Sequence, residues 1–579
     1  MDSPFLAHLN RNRYLYLILS LFAFAEIVIN PIGEFPLNDD WAYSITVQNL
    51  VLNGRIESPN WEGAIFMPQL FWGALFSTIF GFSFTVLRFS EIVLGIVGII
   101  ILYLILGRIT GSKTLTSFGT LLFALNPIYF QQTNTFQPDV PYAVISLVSF
   151  YFLLSFLDNP NWVKYVLGIL FALLATLQKQ TGISIGLAFG FCQLIFYKRN
   201  SRSILIAILP TIILASTVII YKYIRAAVGG LPGAAYDISI PMFFDSILHP
   251  DTYVMKKVAY YFFTTSLSLG LFIFPLALPA ALKILRRNKC SRFHIHIFAG
   301  TLLVYIVLIV LRIHFRGSYM PFAGNAIYDI GIGPIVMTGI DQNEIPEIPK
   351  AGGYFWCLLT AIGAAGFLGF IYLIYLSVKH YFSSAHNKGN YLIIASIFSV
   401  AILTIYIIPF LFVHANTKYL TSVLPFLFIS VISSVEILEQ KFRIRSSTRY
   451  RNLLLLYAPV MFFSVCATHD YLSWNRTRWN ALNYLTETGN ISLDEIDGGF
   501  EFNEWHFSHI YVWQMTNDDS KKGRFWYVGD DKYIIAFHVI RGYEIFKEFK
   551  YQKYIPFGMY PLYILRRSEN AGLRENGQE

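Results

Sequence analysis

Long apolar segments recur along the chain, and they limit what it can fold into. Runs of about 20 residues with few charges follow one another from Tyr14 to Thr468, and a helix needs about that length to cross a bilayer. Of the 579 residues, 55% are hydrophobic and only 14% are charged, whereas a soluble domain carries about 25% charged residues. The sequence therefore predicts an all-α polytopic membrane bundle.

Basic residues are expected to mark the cytoplasmic loops, because positive charge is retained on that side of a membrane. They alternate along the chain with acidic loops. The basic clusters are Arg11 and Arg13; Arg108 and Lys113; Lys198, Arg199 and Arg202; Lys283, Arg286, Arg287, Lys289 and Arg292; Lys379 and Lys388; and Lys441, Arg443, Arg445, Arg449 and Arg451. This alternation predicts about thirteen spans in a plasma or inner membrane, with a cytoplasmic N-terminus and an external C-terminus.

Two segments need separate interpretation. If residues 66–82 crossed the membrane, every later basic loop would change sides, so they are predicted to be re-entrant or interfacial. The N-terminal apolar run has no small-residue cleavage site after it and is interpreted as a retained first span. Residues 1–468 are therefore predicted to form the membrane domain, with a first outer loop at 31–85.

The composition changes at His469. The tail from 469 to 579 is polar, rich in Trp and Tyr, and contains turn signals such as "DGG" and "GDD". It is predicted to be a small mixed α/β soluble domain on the outer face. The net charge of +9 indicates contact with anionic lipid rather than with nucleic acid, because the charge lies in loops of a hydrophobic chain. The four cysteines form no CxxC pair, which argues against a zinc site or a disulfide framework.

An acidic pair stands in "NDDWAYS", just after the first apolar run. One interpretation is a helix N-cap, since Asp39 or Asp40 can cap a helix that starts near Trp41. The other is catalytic: one carboxylate acts as a general base, and repulsion between the two raises one pKa. Trp41 and Tyr43 are then predicted substrate contacts.

A second acidic position, Asp139, stands between two prolines in "TNTFQPDVPYAV". The predicted topology places it at the same membrane depth as Asp39 and Asp40. A lone loop aspartate can be a helix cap, but acid at one depth from two loops also predicts a shared catalytic site.

Cations occur at the same predicted depth. Lys179 in "ATLQKQTGIS" lies between apolar runs, and His414 and Lys418 lie in the short segment "FVHANTKYLTSVLPF". Each can be a side chain that extends to the interface, or a contact for a phosphate group. With Gln180, they are predicted substrate-binding residues.

A metal site is a weaker hypothesis. In "EFNEWHFSHI", His506 and His509 are three residues apart and near Glu501 and Glu504, so they have a spacing that can hold a metal. The same residues fit a packed aromatic surface. No cofactor is required by the sequence, and a divalent metal remains possible.

The motifs together resemble the C-type membrane glycosyltransferases, which include the protein O-mannosyltransferases and the lipid A aminoarabinose transferases. The resemblance rests on "NDDWAYS", on "QPDVPYAVISL" as a second acidic motif, on "TKYLTSVLPF" late in the membrane domain, and on the tail segment "HDYLSWNRTRWNALNYL". The resemblance depends more on the order of the motifs and on the predicted topology than on any single motif.

This resemblance implies transfer of a sugar from a polyprenyl-phosphate donor to a glycan, lipid or protein hydroxyl, with inversion. Asp39 or Asp40 would deprotonate the acceptor, and Lys179 and Lys418 would stabilise the leaving phosphate. The chain departs from the aminoarabinose transferases where they have a lysine followed by two prolines, because it has Met67, Pro68 and Gln69 there. A transporter or flippase of lipid-linked sugars and a noncatalytic assembly subunit are the alternatives.

Overall fold

The structure is a computed structural model. It describes residues 4–59, 61–197, 199–234, 236–287, 292–316, 353–383, 391–443, 450–511 and 530–568. Part of the predicted outer loop at about 314–353 lies outside these residues, as do Lys198, Lys289, Lys388, Arg445 and Arg449 of the predicted basic loops.

The described residues form eighteen α-helices. Their bounds are α1 Pro4–Ile29, α2 Asp40–Asn53, α3 Met67–Phe80, α4 Phe84–Ile109, α5 Lys113–Ala124, α6 Pro127–Gln132, α7 Asp139–Asp158, α8 Trp162–Gln178, α9 Ile183–Phe196, α10 Ser201–Val228, α11 Tyr236–Leu248, α12 Thr252–Arg287, α13 Arg292–Arg316, α14 Gly353–Ser383, α15 Tyr391–Phe412, α16 Leu424–Lys441, α17 Tyr450–Asn483 and α18 Phe500–Tyr511. Short 3-10 turns lie at Gln180–Gly182, Thr417–Ser422 and Leu493–Glu495, and a π-helical turn lies at Tyr484–Thr488.

Eight helices in the described part of the chain are long and apolar enough to cross a membrane. Their apolar parts are Asn12–Ile29, Phe84–Ile109, Asp139–Asp158, Ser201–Val228, Thr252–Arg287, Tyr354–Phe382, Tyr391–Phe412 and Leu453–Thr488. Large apolar side chains on these helices remain exposed, such as Phe24 and Leu205, which is the surface that lipid covers. The predicted helical membrane bundle is therefore confirmed, while the count of about thirteen spans stays a prediction.

The first loop after α1 contains two short helices, as predicted for interfacial segments. α3 has 14 residues and is thus about 21 Å long, which is less than the roughly 30 Å hydrocarbon core. α2 ends at Asn53 because Gly54 adopts a left-handed conformation (φ 66°) and its N–H bonds to the Leu50 carbonyl.

Helices α7 and α16 lie at the centre of the bundle, because most side chains of both are buried. α7 begins at Asp139, the antiparallel α8 ends at Gln178, and the turn Thr417–Ser422 leads into α16. The two ends that carry Asp139 and Lys179 therefore meet. At the opposite end of α7, Arg108 of α4 pairs with Asp158 at 3.2 Å.

The C-terminal segment contains a four-stranded sheet, which confirms the predicted small mixed α/β unit. Its strands are β1 Ile496–Asp497, β2 Tyr533–Ala536, β3 Tyr543–Tyr554 and β4 Phe557–Arg567, in the order β1-β2-β4-β3. β1 is parallel to β2, and the other pairs are antiparallel.

The sheet is attached to the bundle by a long helix. α17 continues from Tyr450 to Asn483, so the predicted boundary at 468/469 falls within a helix. Just after that position, the Asp470 carboxylate accepts hydrogen bonds from the backbone N–H groups of Tyr554 and Ile555, at 2.7 and 2.9 Å. These bonds hold the turn between β3 and β4 against α17.

Candidate active site

The two carboxylates of the acidic pair, Asp39 and Asp40, lie in different environments at the start of α2. Asp39 Oδ2 lies 2.5 Å from Lys418 Nζ, and Asp39 Oδ1 accepts a hydrogen bond from Trp61 Nε1 at 3.1 Å. The Asp39 side chain remains 24% exposed and makes no capping bond to the helix. Asp39 therefore stands at the N-cap position of α2 without a capping side-chain bond, and its carboxylate faces a lysine and an indole.

Asp40 turns into the protein. It is 3% exposed, and its Oδ2 accepts a hydrogen bond from the Leu37 N–H at 3.3 Å. Burial raises the pKa of Asp40 to about 7. Asp40 thus supports the chain that leads into α2, while Asp39 presents the accessible carboxylate.

The charges of Asp39 and Lys418 stabilise each other. Burial raises the pKa of Asp39. The charge and hydrogen bond of Lys418 lower it and outweigh burial, so that the pKa of Asp39 lies below its usual value. Burial lowers the pKa of Lys418, but Asp39 outweighs that effect and raises the pKa above its usual value. At neutral pH the two therefore form an ion pair.

A second ion pair lies deeper at the same end of the bundle. Asp139 Oδ1 is 2.8 Å from Lys179 Nζ, and the two side chains are 2% and 10% exposed. The same oxygen accepts a hydrogen bond from Ser422 Oγ at 2.7 Å. Lys179 reaches this position because the backbone becomes extended where α8 ends (φ −142°, ψ 134°).

Tyrosine rings join the two pairs. The Tyr419 ring centroid lies 5.2 Å from Lys179 Nζ and 6.0 Å from Lys418 Nζ, so its face contacts both cations. Lys179 Nζ also donates to Tyr406 OH at 3.2 Å, and that hydroxyl donates to the Tyr419 carbonyl at 3.2 Å. The result is one site with two carboxylates and two ammonium groups.

The other predicted site residues surround this centre. Trp41 is buried, with its ring 6.0 Å from Trp61, and Tyr43 packs on Phe66 at 4.8 Å. Gln180 Nε2 donates to the Gly63 carbonyl at 3.2 Å. Their contacts with substrate stay predictions, because the Trp41 and Tyr43 rings and the Gln180 amide contact other residues of the protein.

His414 lies at the exposed rim. Its Nδ1 is 3.1 Å from Tyr261 OH, and its ring centroid is 6.5 Å from that of Tyr419. Burial lowers the pKa of His414, and Lys418 lowers it further. His414 is therefore neutral at pH 7 and can exchange hydrogen bonds with a ligand.

Several residues of the site were not predicted from the sequence. Glu62 accepts hydrogen bonds from Thr46 Oγ1 at 2.6 Å and from Ser58 Oγ, and burial raises its pKa to about 7. These bonds hold the segment that carries Trp61 against Asp39. Tyr419 and Ser422 stand within "TKYLTSVLPF", so their closeness to Lys418 in the sequence could have indicated that they belong to the site. No such sequence signal indicated Trp61.

Gln69, at the departure from the aminoarabinose transferases, takes part in a buried network. Its Nε2 donates to Glu91 Oε1 at 2.6 Å, and Gln178 Nε2 donates to Gln69 Oε1 at 2.8 Å. Gln69 stands where the resemblance leads one to expect the second proline, and its side chain bonds within the bundle; Met67 stands where the lysine is expected.

The described residues contain no group of three or more His, Cys, Asp or Glu side chains that could hold a metal ion. In the predicted tail motif, His506 packs on Phe502 at 4.5 Å, Arg478 pairs with Glu501 at 2.8 Å, and the His509 side chain lies outside the described residues. A divalent metal stays a prediction.

Comparison of the sequence with known proteins finds two partial matches. Residues 67–223 match the family model described as dolichyl-phosphate-mannose-protein mannosyltransferase. An uncharacterized protein of Aquifex aeolicus (strain VF5) is 27% identical over 141 residues, which are 24% of this chain and 28% of that protein. The chain thus spans little more than a quarter of this relative's length.

Two crystal structures of ArnT from Cupriavidus metallidurans are also similar. The apo form has a TM-score of 0.33 and 14% identity, covering 75% of this chain and 78% of that one. The form bound to undecaprenyl phosphate has a TM-score of 0.40 and 12% identity, covering 96% and 99%. The family-model match over residues 67–223 confirms that this chain resembles the C-type membrane glycosyltransferases that include the protein mannosyltransferases.

Proposed function

We propose that the protein is a glycosyltransferase that moves a sugar from a polyprenyl-phosphate-linked donor to a hydroxyl of a glycan, lipid or protein acceptor at the outer face of the membrane. The observation that carries the proposal is the partly exposed Asp39–Lys418 pair beside the buried Asp139–Lys179 pair. The family description, which names a dolichyl-phosphate-linked sugar, supports this class of donor.

Asp39 is the candidate general base. It is the more exposed carboxylate of the pair, and its lowered pKa keeps it ionised at neutral pH. Asp40 is buried, and its pKa near 7 leaves it partly protonated there. An acceptor hydroxyl that reaches Asp39 can therefore transfer its proton to a carboxylate that is already charged.

Lys418 is the candidate contact for the donor phosphate. A phosphate oxygen beside Lys418 would compete with Asp39 for the ammonium group, because charge-assisted bonds to phosphate are strong. Weakening of the ion pair would raise the pKa of Asp39 and so make it a better base. Donor binding would in this way prepare the base, and Lys418 would stabilise the charge on the leaving phosphate.

A single displacement with inversion suits this arrangement. Asp139 has a side chain only 2% exposed and is bonded to Lys179 and Ser422, so it is poorly placed to attack a sugar as a covalent nucleophile. With one accessible carboxylate, the acceptor oxygen would attack the anomeric carbon from the face opposite the phosphate, through an oxocarbenium-like state like that of inverting glycosidases.

Sugar transfer itself is the first prediction. Purified protein in nanodiscs, given a panel of radiolabelled polyprenyl-phosphate sugars and a membrane extract as acceptor, is expected to transfer label from at least one donor. NMR of the product is expected to show the anomeric configuration opposite to that of the donor. Movement of lipid-linked sugar across the bilayer without transfer would instead support the transporter hypothesis.

The pH profile provides a second prediction. Lys418→Met removes the charge and the hydrogen bond that, with the bond from Trp61, outweigh burial, so the pKa of Asp39 rises. Because the base must be ionised, we expect the acid limb of the kcat/KM profile to move to higher pH in this variant. Lys418→Arg keeps the charge and is expected to leave the limb near its original position.

A nearby histidine needs a control in this measurement. His414 also has a lowered pKa, partly because of Lys418, so it can titrate in the acidic range. The profile should therefore be repeated with His414→Gln. A limb that moves with His414→Gln and stays in place with Lys418→Met would contradict the assignment to Asp39.

A further inference from the structure

A cavity of about 560 Å³ lies in the C-terminal part of the chain. It is formed by the end of α17, the turns that follow it, and α18. Small-molecule sites usually have volumes of about 300–1,000 Å³, so this cavity can hold a ligand of one or two sugar rings. It is separate from the two ion pairs of the candidate active site.

Aromatic side chains form one part of its wall. Trp479, Phe502 and Trp505 line the cavity. The Trp479 and Phe502 rings pack edge to face at 5.9 Å, and Trp505 packs on Phe84 at 4.8 Å. These contacts hold the rings in place, so the partly exposed Trp479 and Trp505 rings are available to a ligand at little cost in conformational entropy.

Polar groups form another part of the wall. Asn483 is exposed at the cavity and has both donor and acceptor atoms. The Thr486 hydroxyl donates to the Leu482 carbonyl at 3.1 Å, and the Ser492 hydroxyl donates to Asp494. Because both hydroxyl protons are already used, their oxygens remain as acceptors that suit the O–H groups of a ligand.

The described wall carries no charged side chain. None of the lining residues is Asp, Glu, Lys or Arg. Burial lowers the pKa of His506, the one titratable lining residue, to about 4, so it is neutral at pH 7. A charged ligand would therefore find no counter-ion among these residues.

We propose that this cavity binds a neutral sugar unit of the acceptor glycan, through ring stacking on its aromatic wall and hydrogen bonds with its polar wall. The inference rests on the proposed transferase function. α18 connects the two sites, because Phe500 packs on Trp61 at 5.9 Å and Trp61 donates to Asp39. Phe500 and His506 are separated along the helix by about 9 Å, a distance that a short oligosaccharide can span.

Direct binding tests the cavity without any need for transfer. Purified full-length protein in nanodiscs is titrated with mannobiose, maltose and chitobiose by calorimetry and saturation-transfer NMR. We expect at least one disaccharide to bind, and Asn483→Trp, which fills the cavity, to weaken that binding by roughly tenfold or more. Asn480→Trp is the matched control, because Asn480 is exposed on the same helix and does not line the cavity.

The outcomes separate this inference from the proposed function. Disaccharide binding that Asn483→Trp weakens, in a protein that transfers no sugar from any donor, would support the cavity and refute the transferase. Transfer to an oligosaccharide acceptor with the same acceptor KM in wild type and Asn483→Trp would refute the cavity alone. The inference is also wrong if none of the disaccharides binds, or if mannose 6-phosphate binds more tightly than they do.

Discussion

Asp39→Asn is expected to lower the rate of sugar transfer by about 10²- to 10⁴-fold, which is the usual contribution of a general base. The asparagine keeps the size of the side chain and can still accept the hydrogen bond from Lys418, but it cannot take a proton from the acceptor. The fall should appear in kcat, while donor binding should be kept or become tighter, because the neutral asparagine no longer competes with the phosphate for the Lys418 charge. Single-turnover kinetics with bound donor would measure it.

Asp40→Asn is the matched control for this variant. It changes the adjacent carboxylate, which is buried and bonded to the Leu37 N–H, and asparagine can accept the same bond. We expect it to transfer sugar at nearly the wild-type rate. The roles of the two residues would be exchanged if Asp40→Asn were inactive and Asp39→Asn active.

Chemical rescue distinguishes a base from a structural carboxylate. Asp39→Gly opens space next to Trp61 and Lys418, where formate can bind as a free carboxylate. Added formate is expected to restore part of the transfer rate to Asp39→Gly and to have no effect on wild type. An Asp39→Gly variant that is unstable in detergent and insensitive to formate would indicate that Asp39 supports the fold instead.

The sequence was sufficient to predict that the site residues lie at one end of the bundle. Apolar runs and alternating basic loops predicted which span ends share a side, and Asp39, Asp139, Lys179 and Lys418 do meet there. The pairing could not be predicted in the same way. Asp39 bonds to a lysine 379 residues away and Asp139 to one 40 residues away, and no local pattern indicates which ammonium group belongs to which carboxylate.

Two features of the structure could not be predicted from a sequence pattern. Trp41 and Tyr43 follow the acidic pair, and a motif alone cannot separate an aromatic ligand contact from the buried packing that the structure places there. Helix α17 crosses the predicted boundary at 468/469, because polar residues such as Asp470 and Arg478 form hydrogen bonds inside the folded tail. Composition changes there while the secondary structure continues.

The second large effect is expected on stability. Lys179→Met would leave the Asp139 carboxylate buried with Ser422 as its remaining hydrogen-bond donor in the structure. Removal of one partner from a buried ion pair costs about 3–5 kcal/mol, so we expect a marked fall in the free energy of unfolding in detergent. Lys532→Met is the control, because the Lys532–Glu495 pair is partly exposed to solvent and surface pairs contribute at most about 1 kcal/mol.

The double variant Lys179→Met with Asp139→Asn shows whether the pair has a role beyond stability. It leaves no charge unpaired in the buried site, so most of the lost stability should return, and the difference from the single variants gives the coupling energy. If the pair helps to stabilise the leaving phosphate, the stable double variant should still transfer sugar far more slowly than wild type. A double variant that is stable and fully active would reduce Asp139 and Lys179 to structural residues and leave the chemistry to Asp39 and Lys418.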